Sequence, residues 1–103
     1  MEPHLSSWPF DQPRNCATFT VRQVMQQEEA ILVVSHAAED HSWSFVGASG
    51  FRMEDAMLVG LEEVVRLDES ILEIADLLPG WQARRESPTH PWIRSESPPD
   101  DDV

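Results

Sequence analysis

The most constraining feature of this sequence is the stretch of residues 57–81, where apolar side chains recur at helical spacing and a Pro-Gly pair ends the pattern. Spacings of i, i+3, i+4 and i+7 place one apolar stripe on a helix that faces a core, and the residues that carry them are Ile71, Ile74, Ala75 and Leu78. Asp68 precedes this run, and its carboxylate can accept amide protons of the first helical turn. Pro79-Gly80 supplies a stop. The stretch therefore predicts a capped surface helix over residues 69–77.

The other side of this predicted helix is acidic. Glu69, Glu73 and Asp76 repeat at the same spacing, and Glu62 and Glu63 precede them. The whole chain has a net charge of -12, with nineteen acids, seven Arg and no Lys. Such a balance repels nucleic acids and anionic membranes and attracts a basic partner. We therefore expect an acidic surface that binds a protein, with neither nucleic acid nor membrane as partner.

The length of 103 residues fits one domain with a modest core. Cys16 is the single cysteine, which excludes an internal disulfide, and the first twenty residues lack the basic start and apolar run of a signal peptide. No run approaches the ~18 apolar residues of a membrane helix. These features predict a cytoplasmic protein.

Several short segments have the patterns of strands. Residues 16–20 fit a short strand, and the capping-box pattern of residues 20–23 predicts one or two helical turns after it. The β-branched apolar run of residues 31–34 predicts a strand near the middle of a sheet. Residues 42–46 alternate apolar and polar, and the short polar link of residues 38–41 makes the two strands an antiparallel hairpin.

Residues 53–67 fit either one helix or a strand that leads into a short helix. We favour the strand and helix, because Gly60 would cost a continuous helix about 1 kcal/mol relative to Ala. Residues 81–86 fit a final strand. The predicted organisation is an irregular arm over residues 1–14, one α+β domain over residues 15–94, and a disordered acidic tail over residues 95–103.

No catalytic or metal-binding motif is present. His36 and His41 bracket the hairpin link with two carboxylates between them, but they lack the spacing of known metal ligands. Cys16 has no local group that would lower its pKa, so it is predicted to be a small buried hydrophobe. We therefore predict no catalytic residues, no metal and no cofactor.

Aromatic and Arg side chains cluster in the C-terminal part, and these residue types dominate protein-protein hot spots. The cluster consists of Trp81, Arg84, Arg85, Trp92 and Arg94. In one interpretation Trp81 and Arg84 anchor the rim of a binding surface. In the other, Trp81 fills the edge of the core and the Arg residues pair with the acidic helix.

A set of short motifs in this order and spacing resembles a family of small bacterial domains of unknown function, related to the immunity-protein-like domains encoded beside polymorphic toxins. The motifs are Pro13 to Asn15, Trp43-Ser-Phe45, Leu61-Glu-Glu-Val-Val65, Asp68-Glu-Ser-Ile71, Leu78-Pro-Gly-Trp81 and Ala83-Arg84. In that family Asp68 is often followed by Pro, where this chain has Glu69. The resemblance implies an α+β domain with an antiparallel sheet and a role in binding and neutralising a toxin.

We therefore predict a small antiparallel sheet of four or five strands with one or two helices packed on one face. The predicted function is non-enzymatic protein binding, with immunity to a basic toxin as its concrete form. The predicted partner-binding residues are Glu62, Glu63, Glu69, Glu73, Asp76, Trp81 and Arg84. The alternative is a small-ligand or metal-sensing module that uses the hairpin His residues. The oligomeric state is left open.

Overall fold

The computed structural model describes residues 8–97. Six strands in this part of the chain form one sheet in the order β4-β1-β3-β2-β5-β6. Neighbouring strands are antiparallel except β1 and β3, which are parallel. The strands are β1 (Ala17–Val21), β2 (Val33–His36), β3 (Trp43–Val46), β4 (Ala56–Gly60), β5 (Trp81–Arg84) and β6 (Ile93–Glu96). The predicted α+β class is confirmed, but the sheet has six strands rather than four or five, and it is mixed rather than purely antiparallel.

Two short α-helices and two 3-10 helices connect the strands. They are α1 (Arg22–Met25), α2 (Leu61–Leu67) and the 3-10 helices Met53–Asp55 and Glu69–Ile74. In the described residues no helix is long and apolar enough to cross a membrane. The strand-then-helix interpretation of residues 53–67 is confirmed, because β4 ends at Gly60 and α2 begins immediately after it.

The α-helix predicted over residues 69–77 is wrong in type and length. The segment is the 3-10 helix Glu69–Ile74, which we call the acidic 3-10 helix. Asp68 does cap it, since its carboxylate accepts from the Ser70 backbone N–H. Ile71 and Ile74 are both fully buried, so tertiary packing holds a segment that is too short to rely on α-helical propensity.

The capping box predicted at residues 20–23 does not form. The N-cap of α1 is Val21, which makes no side-chain hydrogen bond. Thr20 instead donates its hydroxyl to the Phe45 carbonyl at 2.8 Å, across the parallel β1 and β3 pair. Burial of Thr20 in the sheet decides this, because a hydroxyl enclosed there needs a partner within reach.

The predicted hairpin is confirmed as β2 and β3, with the registered pairs His36 with Trp43 and Val34 with Phe45. β2 is also an inner strand, as predicted, but it covers Val33–His36 rather than residues 31–34. The predicted final strand at residues 81–86 is followed by a further one, β6. Ser95 and Glu96 belong to β6, whereas the sequence prediction placed them in the tail. The rest of the predicted tail, from residue 98, and residues 1–7 of the predicted arm lie outside the described residues.

The core lies between one face of the sheet and the two helical segments that follow β4. Trp43 and Phe45 of β3 are fully buried there, and Phe10 of the N-terminal arm packs edge-on against the Trp43 ring at 5.1 Å. The other face carries the alternate side chains of the same strands, including Phe19, Ser44 and Gln82, and we call it the open face. The sheet therefore has one covered face and one open face.

Candidate protein-binding surface

The five predicted carboxylates lie on α2, on the acidic 3-10 helix and in the turn after it. Glu62 is half-buried and the others are exposed. These elements form the layer that covers the core, so the carboxylates share the outer side of that layer. We call this set the acidic surface, and it consists of Glu62, Glu63, Glu69, Glu73 and Asp76.

Two Arg side chains pair with the α2 end of the acidic surface. Arg14 Nη1 lies 3.3 Å from Glu62 Oε2, and Arg66 lies 3.7 Å from Glu62 and 3.5 Å from Glu63. Both guanidinium groups are substantially exposed. Exposed pairs of this kind are worth only about 0–1 kcal/mol, so they exchange easily for another cation.

Arg94 of β6 pairs with the other end of the acidic surface. Its Nη1 lies 2.8 Å from Asp76 Oδ1, and its Nη2 donates to the Glu73 carbonyl at 2.9 Å. The hydrogen bond from Arg94 lowers the pKa of the Asp76 carboxyl. Glu69 and Glu73 make no side-chain ion pair among residues 8–97, which leaves two charges of the acidic surface uncompensated.

A groove of about 220 Å³ borders the acidic surface, and we call it the arm groove. It is lined by Trp8, Arg14, Glu62, Val65, Arg66, Glu69 and Leu72. The Arg14 guanidinium lies 4.6 Å from the centre of the Trp8 ring, which shows that this ring already accepts a cation. The groove combines apolar walls with two carboxylates and two guanidinium groups, so a Lys or Arg side chain of a partner would bind there by displacing Arg14 or Arg66.

Trp81 and Arg84 do not lie on one surface. Trp81 is half-buried and packs against the core, on the same side of β5 as the fully buried Ala83. Arg84 is exposed on the open face, opposite the acidic surface. The position of Trp81 agrees with the interpretation that it fills the edge of the core. Whether either residue binds a partner stays a prediction.

Arg85 pairs with the cap of the acidic 3-10 helix, as the second interpretation of the aromatic and Arg cluster predicts, but its burial was not predicted. Its side chain is only 2% exposed, and it donates to the Ile31 carbonyl at 3.0 Å, to Ser70 Oγ at 2.9 Å and to Asp68 Oδ2 at 2.5 Å. Its guanidinium also lies 4.2 Å from the centre of the Trp92 ring. The available signal was the period of β5, which places position 85 on the same side as positions 81 and 83. Arg85 therefore stabilises the fold, and its side chain is not part of an exposed surface.

Asp68 has a lowered pKa. Burial raises the pKa of its carboxyl, but hydrogen bonds from the hydroxyl and backbone N–H of Ser70, together with the Arg85 guanidinium, lower it by more. The carboxylate is thus held ionised beside a buried cation. Its two oxygens serve both as the cap of the acidic 3-10 helix and as the counterion of Arg85.

The hairpin His residues do not form a metal site with their neighbours. His36 is buried, its Nδ1 lies 2.7 Å from the Leu77 carbonyl, and its ring stacks on Trp43 with centres 4.0 Å apart. His41 is exposed, with its ring centre 6.0 Å from that of His36. Among the described residues no group of three or more His, Cys, Asp or Glu could hold an ion. Cys16 is half-buried just before β1 and packs against the core, so it is less buried than predicted.

A second groove, of about 350 Å³, lies on the open face and was not predicted. Its lining is mostly apolar and consists of Phe19, Ser35, Ala37, Ser42, Ser44, Val46 and Phe51. Phe19 and Phe51 are 41% and 45% exposed. The sequence pattern gave no signal for it, because Phe19 alternates with polar residues in the way that a core residue does.

Comparison with protein-family models, curated proteins and solved structures found no match to this chain. The resemblance to immunity-protein-like domains therefore stays a hypothesis that rests on motifs in the sequence. The function has to be inferred from the surfaces of the molecule itself.

Proposed function

We propose that this chain is a non-enzymatic protein-binding module that receives a basic protein on its acidic surface. The observation that carries the proposal is that Glu69 and Glu73 are exposed carboxylates without an ion-pair partner among residues 8–97. They belong to a chain whose net charge is -12. Uncompensated charge of one sign raises the local concentration of an oppositely charged partner and speeds its association.

The compensated carboxylates support the same proposal. Arg14 and Arg66 hold Glu62 and Glu63 through exposed contacts of 3.3 to 3.7 Å. A cation from a partner can replace either guanidinium at low cost, because such pairs contribute little to stability. The whole acidic surface is then available to a basic protein, including the parts that are paired in the free chain.

The arm groove gives this surface a defined point of contact. A Lys or Arg of the partner would lay its stem along Trp8 and Leu72 and place its charge between Glu62 and Glu69. Burial of one such side chain next to an aromatic ring is the usual form of an interface hot spot. A bacterial toxin with a cationic surface is the concrete partner that the sequence resemblance implies.

The test compares two double charge reversals that change the net charge equally. Glu69→Arg with Glu73→Arg alters the acidic surface, while Glu28→Arg with Glu39→Arg alters exposed acids elsewhere. A partner is captured from a native cell lysate at low salt and then purified. Its association rate with each variant is measured by stopped flow at about 0.05 and 0.5 M salt, where the screening length falls from well above to well below ~10 Å.

We expect the acidic-surface variant to associate at least tenfold more slowly than the control variant, and all forms to associate more slowly at high salt. Trp8→Ala should leave the association rate nearly unchanged and speed dissociation, as loss of a buried contact does. Equal effects of the two double reversals, or binding that does not depend on salt, would place the interface elsewhere.

A further inference from the structure

The two edges of the sheet differ in how well they are protected against pairing with another strand. β6 carries Arg94 and Glu96 and lies two residues after Pro91, and charges and Pro are the usual guards of an edge strand. β4 has the sequence Ala-Met-Leu-Val-Gly, with no charged residue and no Pro. Leu58 at its centre is 62% exposed. In the described part of the chain, β4 therefore presents an unguarded apolar edge.

The hydrogen-bond pattern shows which backbone groups of β4 point outward. Leu61 N–H donates to the Cys16 carbonyl at 2.8 Å, so these two residues form a hydrogen-bonded pair next to the ladder of β1 and β4. Bonded and non-bonded pairs alternate in an antiparallel ladder. The registered pair of Phe19 and Leu58 is three positions further along and is therefore non-bonded. Leu58 directs both its N–H and its C=O away from β1.

Ala56 and Gly60 lie two positions on either side of Leu58, so they also direct their backbone groups outward. Two of these groups are already used. The Ala56 N–H donates to the Met53 carbonyl, and the Gly60 carbonyl accepts the first hydrogen bond within α2. Four groups have no partner among residues 8–97: the Ala56 C=O, both groups of Leu58, and the Gly60 N–H.

We propose that these four groups pair with the same edge of a second copy of this chain. In an antiparallel pairing about a twofold axis at Leu58, the two Leu58 residues exchange two hydrogen bonds. Gly60 N–H of each copy then donates to the Ala56 C=O of the other. Each of the four free groups gains a hydrogen-bond partner. The pairing does not use the Ala56 N–H or the Gly60 carbonyl, which are already hydrogen-bonded within the chain. The result is one continuous sheet across two copies.

The side chains along this edge are also self-complementary. Leu58 lies beside Phe19 on the open face, so the pairing brings two Leu58 and two Phe19 side chains into one apolar row. On the covered face Met57 of one copy comes opposite Val59 of the other. One short strand pair buries less than the ~800 Å² per partner of a standard interface, so we expect a weak dimer that dissociates on dilution.

The charge distribution permits two copies to meet at this edge. Arg22 lies 2.6 Å from Asp55 and Arg52 lies 3.5 Å from Glu54 at the start of β4. At the other end, Arg14 and Arg66 balance the acids of α2. Repulsion between two copies of charge -12 then acts mainly at long range, where salt screens it. Added salt should strengthen the dimer, whereas it weakens binding of a basic protein to the acidic surface.

Sedimentation equilibrium of the full chain over about 1 µM to 1 mM tests the pairing, a range that covers weak association. Leu58→Lys places a charge on the paired edge, and Ile93→Lys is the matched control, since Ile93 is 66% exposed on the other edge strand. We expect the wild type and Ile93→Lys to dimerise, more strongly at higher salt, and Leu58→Lys to be at least tenfold weaker. Denaturant unfolding of all three confirms that the exposed substitutions leave the fold intact.

Amide hydrogen exchange tests the same pairing at individual residues, because it measures how fast each backbone N–H exchanges with solvent. The Leu58 and Gly60 amides should exchange more slowly as the protein concentration rises, while those of Met57 and Val59 are protected by β1 at every concentration. A chain that stays monomeric near 1 mM overturns the proposal. So does a dimer that Leu58→Lys leaves unchanged, a dimer that Ile93→Lys weakens, or exchange at Leu58 that ignores concentration.

Discussion

Arg85 is a charged residue that is buried without being left unpaired. Asp68 neutralises its charge, and Ser70 Oγ and the Ile31 carbonyl accept hydrogen bonds from its other N–H groups. The Trp92 ring stacks on the guanidinium plane. A planar guanidinium suits this role, because its donors point in several fixed directions at once. The contact joins the segment before β2, the acidic 3-10 helix and the segment before β6, which are far apart in sequence.

Asp68→Ala should therefore lower the free energy of unfolding by more than the loss of a helix cap alone would. The cap alone is worth about 0.5–2 kcal/mol, and leaving a buried cation unpaired costs about 3–5 kcal/mol. Asp68→Asn keeps an oxygen for the Ser70 N–H but leaves Arg85 without its counterion, so it should cost about 3–5 kcal/mol, which is less than the cost of Ala by the contribution of the cap. Denaturant midpoints of the two variants measure this. If Asn costs as much as Ala, the cap contributes nothing, and if both cost below 1 kcal/mol the Arg85 contact is unimportant.

The pH dependence of the same pair provides a second readout. The pKa of Asp68 is lower in the folded chain than the ~3.9 of an unfolded Asp, so its contribution to stability is complete above about pH 4 and is lost as the pH falls through the folded value. The difference in unfolding free energy between the wild type and Asp68→Asn should shrink below about pH 4. A difference that is constant between pH 7 and pH 3 would argue against an ionised pair.

At the scale of elements, the parallel contact between β1 and β3 is the least expected feature. It has one registered position, Phe19 with Ser44, whereas the antiparallel ladder of β1 and β4 has five. The hydroxyl of Thr20 adds a bond to the Phe45 carbonyl where this short ladder stops. One side chain thus supports the junction that joins the hairpin to β1 and β4.

Thr20→Val tests that support, because Val keeps the shape of Thr and removes the hydroxyl. We expect a loss of about 1–3 kcal/mol, since the Phe45 carbonyl is left without this donor in a buried position. Thr18→Val is the matched control: Thr18 is equally buried and donates to the Val59 carbonyl at 3.1 Å, but it lies within the long ladder of β1 and β4. Thr18→Val should lower the free energy of unfolding, measured with urea, by less than Thr20→Val does. The reverse order would show that the parallel junction does not depend on Thr20.

At the scale of the whole molecule, charge and apolar surface are separated. The acidic surface lies on the helical layer, while Phe19, Phe51 and Leu58 are exposed on the open face or beside it. The two proposed interactions use these different regions. A basic protein would approach the helical layer, and a second copy would approach the edge of β4, so one molecule can engage both.

Net charge also governs the stability of the whole chain. With an excess of twelve negative charges, self-repulsion opposes the compact state, and salt should relieve it. Most of the Arg pairs are exposed and lose little in salt. We expect the urea midpoint to rise between about 0.05 and 0.5 M NaCl, by an amount worth roughly 1 kcal/mol or less. A midpoint that falls would show that the ion pairs outweigh the repulsion.

Local patterns in the sequence were sufficient for the elements whose cause is local. The alternation at residues 42–46 and the short link before it correctly predicted the hairpin, since side-chain period and loop length decide this structure. Gly60 correctly separated β4 from α2. Asp68 was identified as a cap because its carboxylate acts on an amide only two residues away.

Tertiary structure decided the features that depend on residues distant in sequence. The segment after Asp68 is a 3-10 helix because the core receives Ile71 and Ile74 in that geometry. Thr20 donates to the Phe45 carbonyl of a distant strand and does not cap α1. Burial of Arg85 required Asp68 and Trp92 to meet it in space. The acidic surface could be predicted because carboxylates at helical spacing stay in water in either helix type. The free edge of β4 could not, since the position of a strand in a sheet depends on which strands pair beside it.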